Sequence, residues 1–97
     1  MTYIHVALFK WKIGTSDKEV RHSLDLVRDV RDRVNGISEI FCGENTSKWA
    51  QGYTHIVVVI GATQQAIDEY RSDEVHVEAA KLIEAMELDG IGVDFTD

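Results

Sequence analysis

At 97 residues the chain has room for one two-layer domain, residues 1–97, and none for a second domain or a long catalytic insert. A formal net charge of −7, with the ten Lys and Arg mostly interleaved with acids, argues against polyanion binding and removes nucleic acid from the expected partners. Apolar residues at 44% and charged residues at 28% are the balance of a soluble globular domain. No apolar run approaches the ~20 residues that span a bilayer, and Met1 leads into a strand-like segment rather than a signal pattern. A single cysteine, Cys42, excludes an intramolecular disulfide and suits a reducing, cytoplasmic location.

Residues 3 to 12, YIHVALFKWK, mix β-branched and aromatic types and predict a strand with little polar surface on either face. Ile4, Val6 and Leu8 share one parity and His5, Ala7, Phe9 and Trp11 the other. Ser16-x-x-Glu19 is a capping-box pattern. The helix it opens carries Val20, Leu24, Val27, Val30 or Arg31, and Val34 at steps of three and four, an apolar stripe that stops at Asn35-Gly36. Residues 37–44 predict a second strand, 45–52 a loop containing Trp49, and 53–60, YTHIVVVI, a third strand. Thr63 caps a second helical region whose first turns carry Ile67 and Tyr70 and whose later turns carry Val77, Ala80, Ile83 and Met86. Ser72-Asp73-Glu74 falls between those stripes and is a candidate break. Residues 90–96 close the chain as a strand, with Ile91, Val93 and Phe95 on one side and Gly90, Gly92 and Asp94 on the other.

The order βαββαβ is the split βαβ pattern of α+β, ferredoxin-like folds, a four-stranded antiparallel sheet with helices on one face. Helices cover one face only, whereas strands one and three are apolar at both parities. The second face would expose Ile4, Val6, Leu8, Ile56, Val58, Ile60, Ile91 and Val93. At ~1.5–3 kcal/mol for each large apolar side chain left in water, exposure is costly, and a patch of this kind marks an interface. A homodimer through Val6, Leu8, Ile56, Val58, Ile91 and Val93 covers the face with its own copy.

Four separated segments carry a resemblance. His5-Val-Ala-Leu-Phe-Lys-Trp-Lys12, Gly52-Tyr-Thr-His-Ile-Val57, Tyr70 with His76, and Val93-Asp94-Phe95 resemble the stress-responsive A/B barrel (Dabb) family. That resemblance implies a dimeric α/β barrel built from two ferredoxin-like chains. At His5, the Gly52–Val57 segment, Tyr70 and His76 the chain is similar to plant polyketide cyclases of the olivetolic acid cyclase type. Those enzymes close rings by intramolecular aldol condensation with neither metal nor organic cofactor, so no cofactor is expected. The chain departs from them in lacking a proline before His76, in Val27 where the cyclases place a pocket tyrosine, and in Gly90 and Gly92 where they have bulky aliphatics.

Parity directs His5, with Ala7 and Phe9, toward the helices, and His55 with Tyr53 and Val57 likewise. On the central, adjacent strands the two imidazoles are possible neighbours; the other reading of each is a buried histidine bonded to backbone. Tyr70 and His76, six positions apart, stand about 120° apart on an unbroken helix and converge only if the helix breaks between them. They then become a general base, His76, and a donor, Tyr70, to a carbonyl oxygen turning into an enolate, with His5 orienting the carbonyl. A cap histidine and a core tyrosine are the alternative. The candidate pocket wall is Ala7, Phe9, Val27, His55, Val57, Gly90 and Gly92. His22 and Cys42 carry no expected chemistry, and the acids near His76 form no metal spacing. The functions open to the chain are a cofactor-independent cyclase or isomerase acting on an apolar, polyketide-like carbonyl compound, a non-catalytic stress or assembly protein, and, by fold analogy, a cofactor-free oxygenase.

Overall fold

The computed structural model describes residues 1–97. In chain order the elements are β1 (Tyr3–Trp11), α1 (Asp17–Asp29) prolonged by a 3-10 turn (Val30–Asp32), β2 (Ile37–Glu44), β3 (His55–Gly61), α2 (Gln64–Ser72), α3 (Glu74–Met86) and β4 (Glu87–Thr96). The strands form one sheet in the order β2-β3-β1-β4, every neighbouring pair antiparallel. This is the ferredoxin-like α+β fold. No helix is long and apolar enough to cross a membrane.

Local chemistry sets the helix boundaries. Ser16 Oγ accepts from the Glu19 amide at 3.1 Å, but the Glu19 side chain makes no return bond, so only half of the expected capping box forms. Thr63 Oγ1 accepts from the Ala66 amide at 3.1 Å. The break expected at Ser72-Asp73-Glu74 is present: Asp73 sits in extended conformation between α2 and α3 and caps α3 through the Val75 amide at 2.9 Å. Arg33 reaches across to hold it, with Nε 2.9 and 3.1 Å from the two Asp73 carboxylate oxygens and an Nη2 bond of 3.2 Å to Glu74. Gly36 turns the chain into β2 with φ +89°, and a Cβ there would lie 2.9 Å from that of Ala66. Both the left-handed backbone and the close approach call for glycine.

Register assigns the sheet's faces. His5 lies between Val59 and Asp94, Ala7 between Val57 and Gly92, and Phe9 between His55 and Gly90. Val57 and Val59 are buried in the core, so this parity faces the helices. The other parity aligns Ile4, Val6 and Leu8 with Ile60, Val58 and Ile56 and with Phe95, Val93 and Ile91. The glycines of β4 therefore face the helices and its apolar residues face outward, as parity predicts. Phe41 of β2, opposite Val58, extends the outward row.

Between sheet and helices the core joins Val20, Leu24 and Val27 of α1 to Ala66, Ile67 and Tyr70 of α2 and Ala79, Ile83 and Met86 of α3. One expected core position is corrected: Val77 is exposed, while Ala79 is fully buried. Val77, Ala80, Ile83 and Met86 are spaced by steps of three only, which drift by about 60° each, so Val77 stands on the side of α3 opposite Met86 while Ile83 and Met86 are buried. A second correction is to β4, which begins at Glu87, directly from the end of α3, rather than at Gly90.

Candidate active site

A cavity of about 250 Å³ opens between the sheet and α3, walled by His5, Ala7 and Phe9 of β1, Val57 of β3, Val27 of α1, Tyr70 of α2, His76, Ala80, Ile83 and Glu84 of α3 and Glu87 of β4. Small side chains make room: Ala7 on the sheet and Ala80 on α3 both belong to the wall, where longer aliphatics would take up space.

Tyr70 and His76 meet here. Their ring centroids are 4.5 Å apart with the planes inclined at 58°, and the His5 ring lies 5.9 Å from that of Tyr70 on the other side. His76 Nδ1 is 2.9 Å from the Arg71 carbonyl oxygen. A carbonyl only accepts, so Nδ1 carries the proton and Nε2 keeps its lone pair. Burial lowers the His76 pKa from its ordinary 6.5, outweighing the bond to the Arg71 carbonyl. The ring is neutral at pH 7, with one basic nitrogen uncommitted within the chain.

Tyr70 is only 2% exposed, and its hydroxyl makes no hydrogen bond within the protein. No buried side-chain oxygen is sealed away without a partner, so this hydroxyl keeps some accessible surface, on a side chain that helps to wall the cavity. Burial raises its pKa above the ordinary 10. The group stays protonated and can donate.

His5 is positioned by residues that the sequence reading did not connect to it. Asp94 Oδ1 lies 2.6 Å from His5 Nδ1, and Arg71 Nη2 donates to Asp94 Oδ2 at 2.7 Å. Asp94 accepts the His5 Nδ1 proton, which leaves Nε2 as the acceptor of that ring; the 3.2 Å approach of Arg71 Nη2 to Nδ1 then cannot be a second bond to the same nitrogen. The hydrogen bond from His5, reinforced by Arg71, holds the Asp94 carboxyl below the usual carboxylate range against the opposing effect of burial. The signal for Asp94 was its parity on β4, shared with Gly90 and Gly92.

Three expected wall residues lie elsewhere. His55 is on the helix-facing parity, but it pairs with Phe9 rather than neighbouring His5. Its Nδ1 accepts from Trp11 Nε1 at 2.9 Å with Thr54 Oγ1 at 3.0 Å. It fastens the end of β1, where Phe9 and Trp11 stack at 5.2 Å. Gly92 sits beside open space, with nothing within 4 Å of where its Cβ would be, and Gly90 lies against the Glu87 carboxyl. Neither glycine is part of the wall. Trp49 is exposed with Lys48 over its ring at 4.3 Å, away from the cavity. The Cys42 thiol, pushed up to about 11 by burial, is no nucleophile at neutral pH. No cluster of His, Cys, Asp and Glu is arranged to hold a metal.

A βαββαβ sheet with its helices on one face and a histidine-lined cavity between the layers defines a small ferredoxin-like α+β protein. The chain belongs to the stress responsive A/B barrel domain (Dabb) family, whose model matches residues 4–97. Among solved structures it is similar to an Arabidopsis thaliana protein, at TM-score 0.85 and 23% identity over 98% of this chain and 94% of that one. A dimeric ferredoxin-like protein of Thermobifida fusca superposes at TM-score 0.87 with 21% identity, covering 100% and 92%. A hydroxynitrile lyase from Passiflora edulis superposes at 0.84 with 13% identity, covering 97% and 91%. These likenesses speak for the fold. Comparison with curated protein sequences gave no match.

Proposed function

We propose that the chain is a homodimer whose subunits each bind a small carbonyl compound in the cavity between sheet and helices and turn it into an enolate, without a cofactor. One observation carries this reading: His76, whose Nε2 is the basic nitrogen, and Tyr70, whose hydroxyl has no partner within the chain, both wall the same 250 Å³ space. His76 Nε2 takes a proton from the carbon next to the carbonyl. The electron pair of that C–H bond forms the C=C bond, and the carbonyl π pair moves to oxygen, where the Tyr70 hydroxyl donates to the developing charge. His5, whose Nδ1 proton goes to Asp94 and whose Nε2 only accepts, has no donor for that oxygen and walls the space from the β1 side. The enolate carbon then attacks a second carbonyl of the same molecule, closing a ring as protonated His76 returns its proton to the new alkoxide; where the enolate is conjugated with a further C=C bond, His76 instead returns the proton to the far carbon of that system, giving an isomer.

The dimer rests on the outward face of the sheet. Phe41, Val93 and Phe95 are 56%, 45% and 49% exposed in one subunit, in register with Val58, Val6 and Ile4. A contiguous apolar face in that register is covered by a second copy across a twofold axis. The dimeric Thermobifida fusca relative supports this arrangement. A non-catalytic assembly protein is the second reading, and the outer face alone would satisfy it.

Exchange of the protons next to the carbonyl of acetophenone in deuterium oxide, followed by proton NMR, separates the two. Catalysis predicts protein-dependent exchange that saturates with ketone and is lost in His76→Ala. Equal exchange with the wild type, with His76→Ala and with no protein would leave the assembly reading.

A further inference from the structure

On the β1 side of the cavity a hydrogen-bonded series runs from Arg71 through Asp94 to His5. Arg71 Nη2 donates to Asp94 Oδ2 at 2.7 Å, and His5 Nδ1 donates to Asp94 Oδ1 at 2.6 Å. The three residues come from α2, β4 and β1, and strand register sets His5 opposite Asp94. With its proton committed to Asp94, the His5 ring has a bare Nε2, which makes no hydrogen bond within the chain. No buried side-chain nitrogen is sealed away without a partner, so Nε2 keeps accessible surface on a ring, 14% exposed, that helps to wall the cavity.

Two acceptor nitrogens and one hydroxyl donor are an unequal set. The Tyr70 ring neighbours both imidazoles, at 5.9 Å from His5 and 4.5 Å from His76, so all three groups act within the span of one small molecule. A simple ketone, with an oxygen to accept and no proton to give, satisfies Tyr70 and leaves His5 Nε2 without a partner. A desolvated acceptor in that state costs free energy that a ligand O–H returns.

We propose that Arg71 and Asp94 are positioning residues that hold His5 as a second base, and that the compound taken is a ketone or aldehyde with a hydroxyl on the carbon next to the carbonyl, its O–H given to His5 Nε2. The proposal rests on the reading that His76 and Tyr70 form an enolate, and it makes that enolate an enediolate. His76 Nε2 takes the proton from the carbon that bears the hydroxyl. The C–H pair becomes the C=C bond, and the carbonyl π pair goes to the oxygen to which Tyr70 donates. His5 Nε2 takes the hydroxyl proton and passes it to that oxyanion, so the negative charge changes oxygen. The new oxyanion re-forms a carbonyl while the C=C pair takes the proton of His76 Nε2 at the former carbonyl carbon. Carbonyl and hydroxyl have then exchanged places, one carbon oxidised and its neighbour reduced to the same extent.

The His5 tautomer tests the proposal, because an amide at position 94 inverts it. In Asp94→Asn, Arg71 still calls for an oxygen, which turns the amide NH₂ toward His5 Nδ1 and moves the ring proton to Nε2. Removing that donor as well, in Asp94→Asn/Arg71→Met, frees the amide to turn its oxygen to Nδ1 and bares Nε2 again. Long-range proton–nitrogen NMR correlations read the tautomer, and titrations with α-hydroxyacetophenone, α-methoxyacetophenone and acetophenone read its consequence. The wild type is expected to bind the hydroxy ketone about two- to tenfold tighter than the other two, Asp94→Asn to lose that preference, and the double variant to regain it. A merely structural role for Asp94 would not be rescued by a second loss. A His5 ring protonated at Nε2, or equal affinity for the three ketones, would overturn the proposal; both are read on the wild type and need no variant to fold. Equal affinity together with His76-dependent exchange of the acetophenone protons would leave the enolate reading standing without it. A hydroxyl preference that follows the His5 tautomer, with exchange unchanged in His76→Ala, would uphold the hydroxyl's place at His5 and overturn the enolate reading.

Discussion

Tyr70 and His76 are six positions apart in the chain, yet their ring centroids lie 4.5 Å apart, because the helix stops at Ser72 and restarts at Glu74. The kink at Asp73 turns two residues that a straight helix would separate into one site. If they act as base and donor, the rate should rise with pH through an inflection below the ordinary histidine 6.5, since burial lowers the His76 pKa. Above that inflection the profile should stay level, because Tyr70, raised by burial, keeps its proton. In the exchange assay His76→Ala is expected to lose ~10²–10⁴-fold in turnover with less change in KM, and Tyr70→Phe to lose less. A profile with its inflection above 6.5 would contradict the assignment.

Stability should fall with acid in two stages. His76 has a folded pKa below its unfolded value. Its contribution is therefore complete above pH 6.5 and is lost as pH falls through the folded pKa, where protonation favours the unfolded chain. The Asp94 carboxyl, lowered chiefly by the His5 hydrogen bond, and that of Asp73, lowered by Arg33 against the opposing effect of burial, keep their contributions above 3.8 and lose them as pH drops further. Urea unfolding across this range should show both stages, and His76→Gln should remove the upper one.

Arg33 holds the break from outside the cavity. Its guanidinium bonds both Asp73 oxygens and Glu74, fixing the residue that caps α3. Arg33→Met should raise the Asp73 pKa toward its ordinary value and move the Tyr70 and His76 ring signals, although residue 33 touches neither ring. Unmoved ring signals in a folded Arg33→Met protein would show that the kink needs no clamp.

What the sequence made legible follows from how local each signal is. The caps at Ser16 and Thr63 depend on bonds spanning three residues, and both are where the residue types place them, while the break at Ser72-Asp73-Glu74 was legible without the cap that Asp73 supplies there. Strand parity assigned both faces of the sheet because a period of two survives errors in strand length. Repeated steps of three drift around a helix by about 60° each, which is why Val77, three steps before Met86, was taken for core in place of Ala79. The pairing of His5 with Asp94 and of Trp11 with His55 joins residues 89 and 44 positions apart, and such pairings need the register before they can be read. Glu87 was hidden by a boundary: with β4 started at Gly90, nothing aimed it at a cavity.

The outer face gives a stability and assembly test. Val58→Asp or Val6→Asp places a charge at the centre of the apolar rows and should yield a monomer or an unfolded chain, since an unpaired buried charge is strongly destabilising. Sedimentation of the wild type at micromolar concentration should give about twice the chain mass. A stable wild-type monomer would remove the dimer from the account.

A cavity made by small residues should close when they are enlarged. Ala80→Leu adds bulk to the α3 side of the wall and should abolish acetophenone binding in the NMR titration while the chain stays folded. Binding that persists in a folded Ala80→Leu protein would place the ligand elsewhere.

The most direct test of the central claim is the state of the His76 ring itself, read from long-range proton–nitrogen NMR correlations across pH. The account predicts a neutral ring protonated at Nδ1 with a bare Nε2, a pKa below 6.5, and an Nε2 signal that moves when acetophenone is added. A ring protonated at Nε2, or one whose Nε2 is indifferent to the ketone, would contradict the claim that His76 is the base.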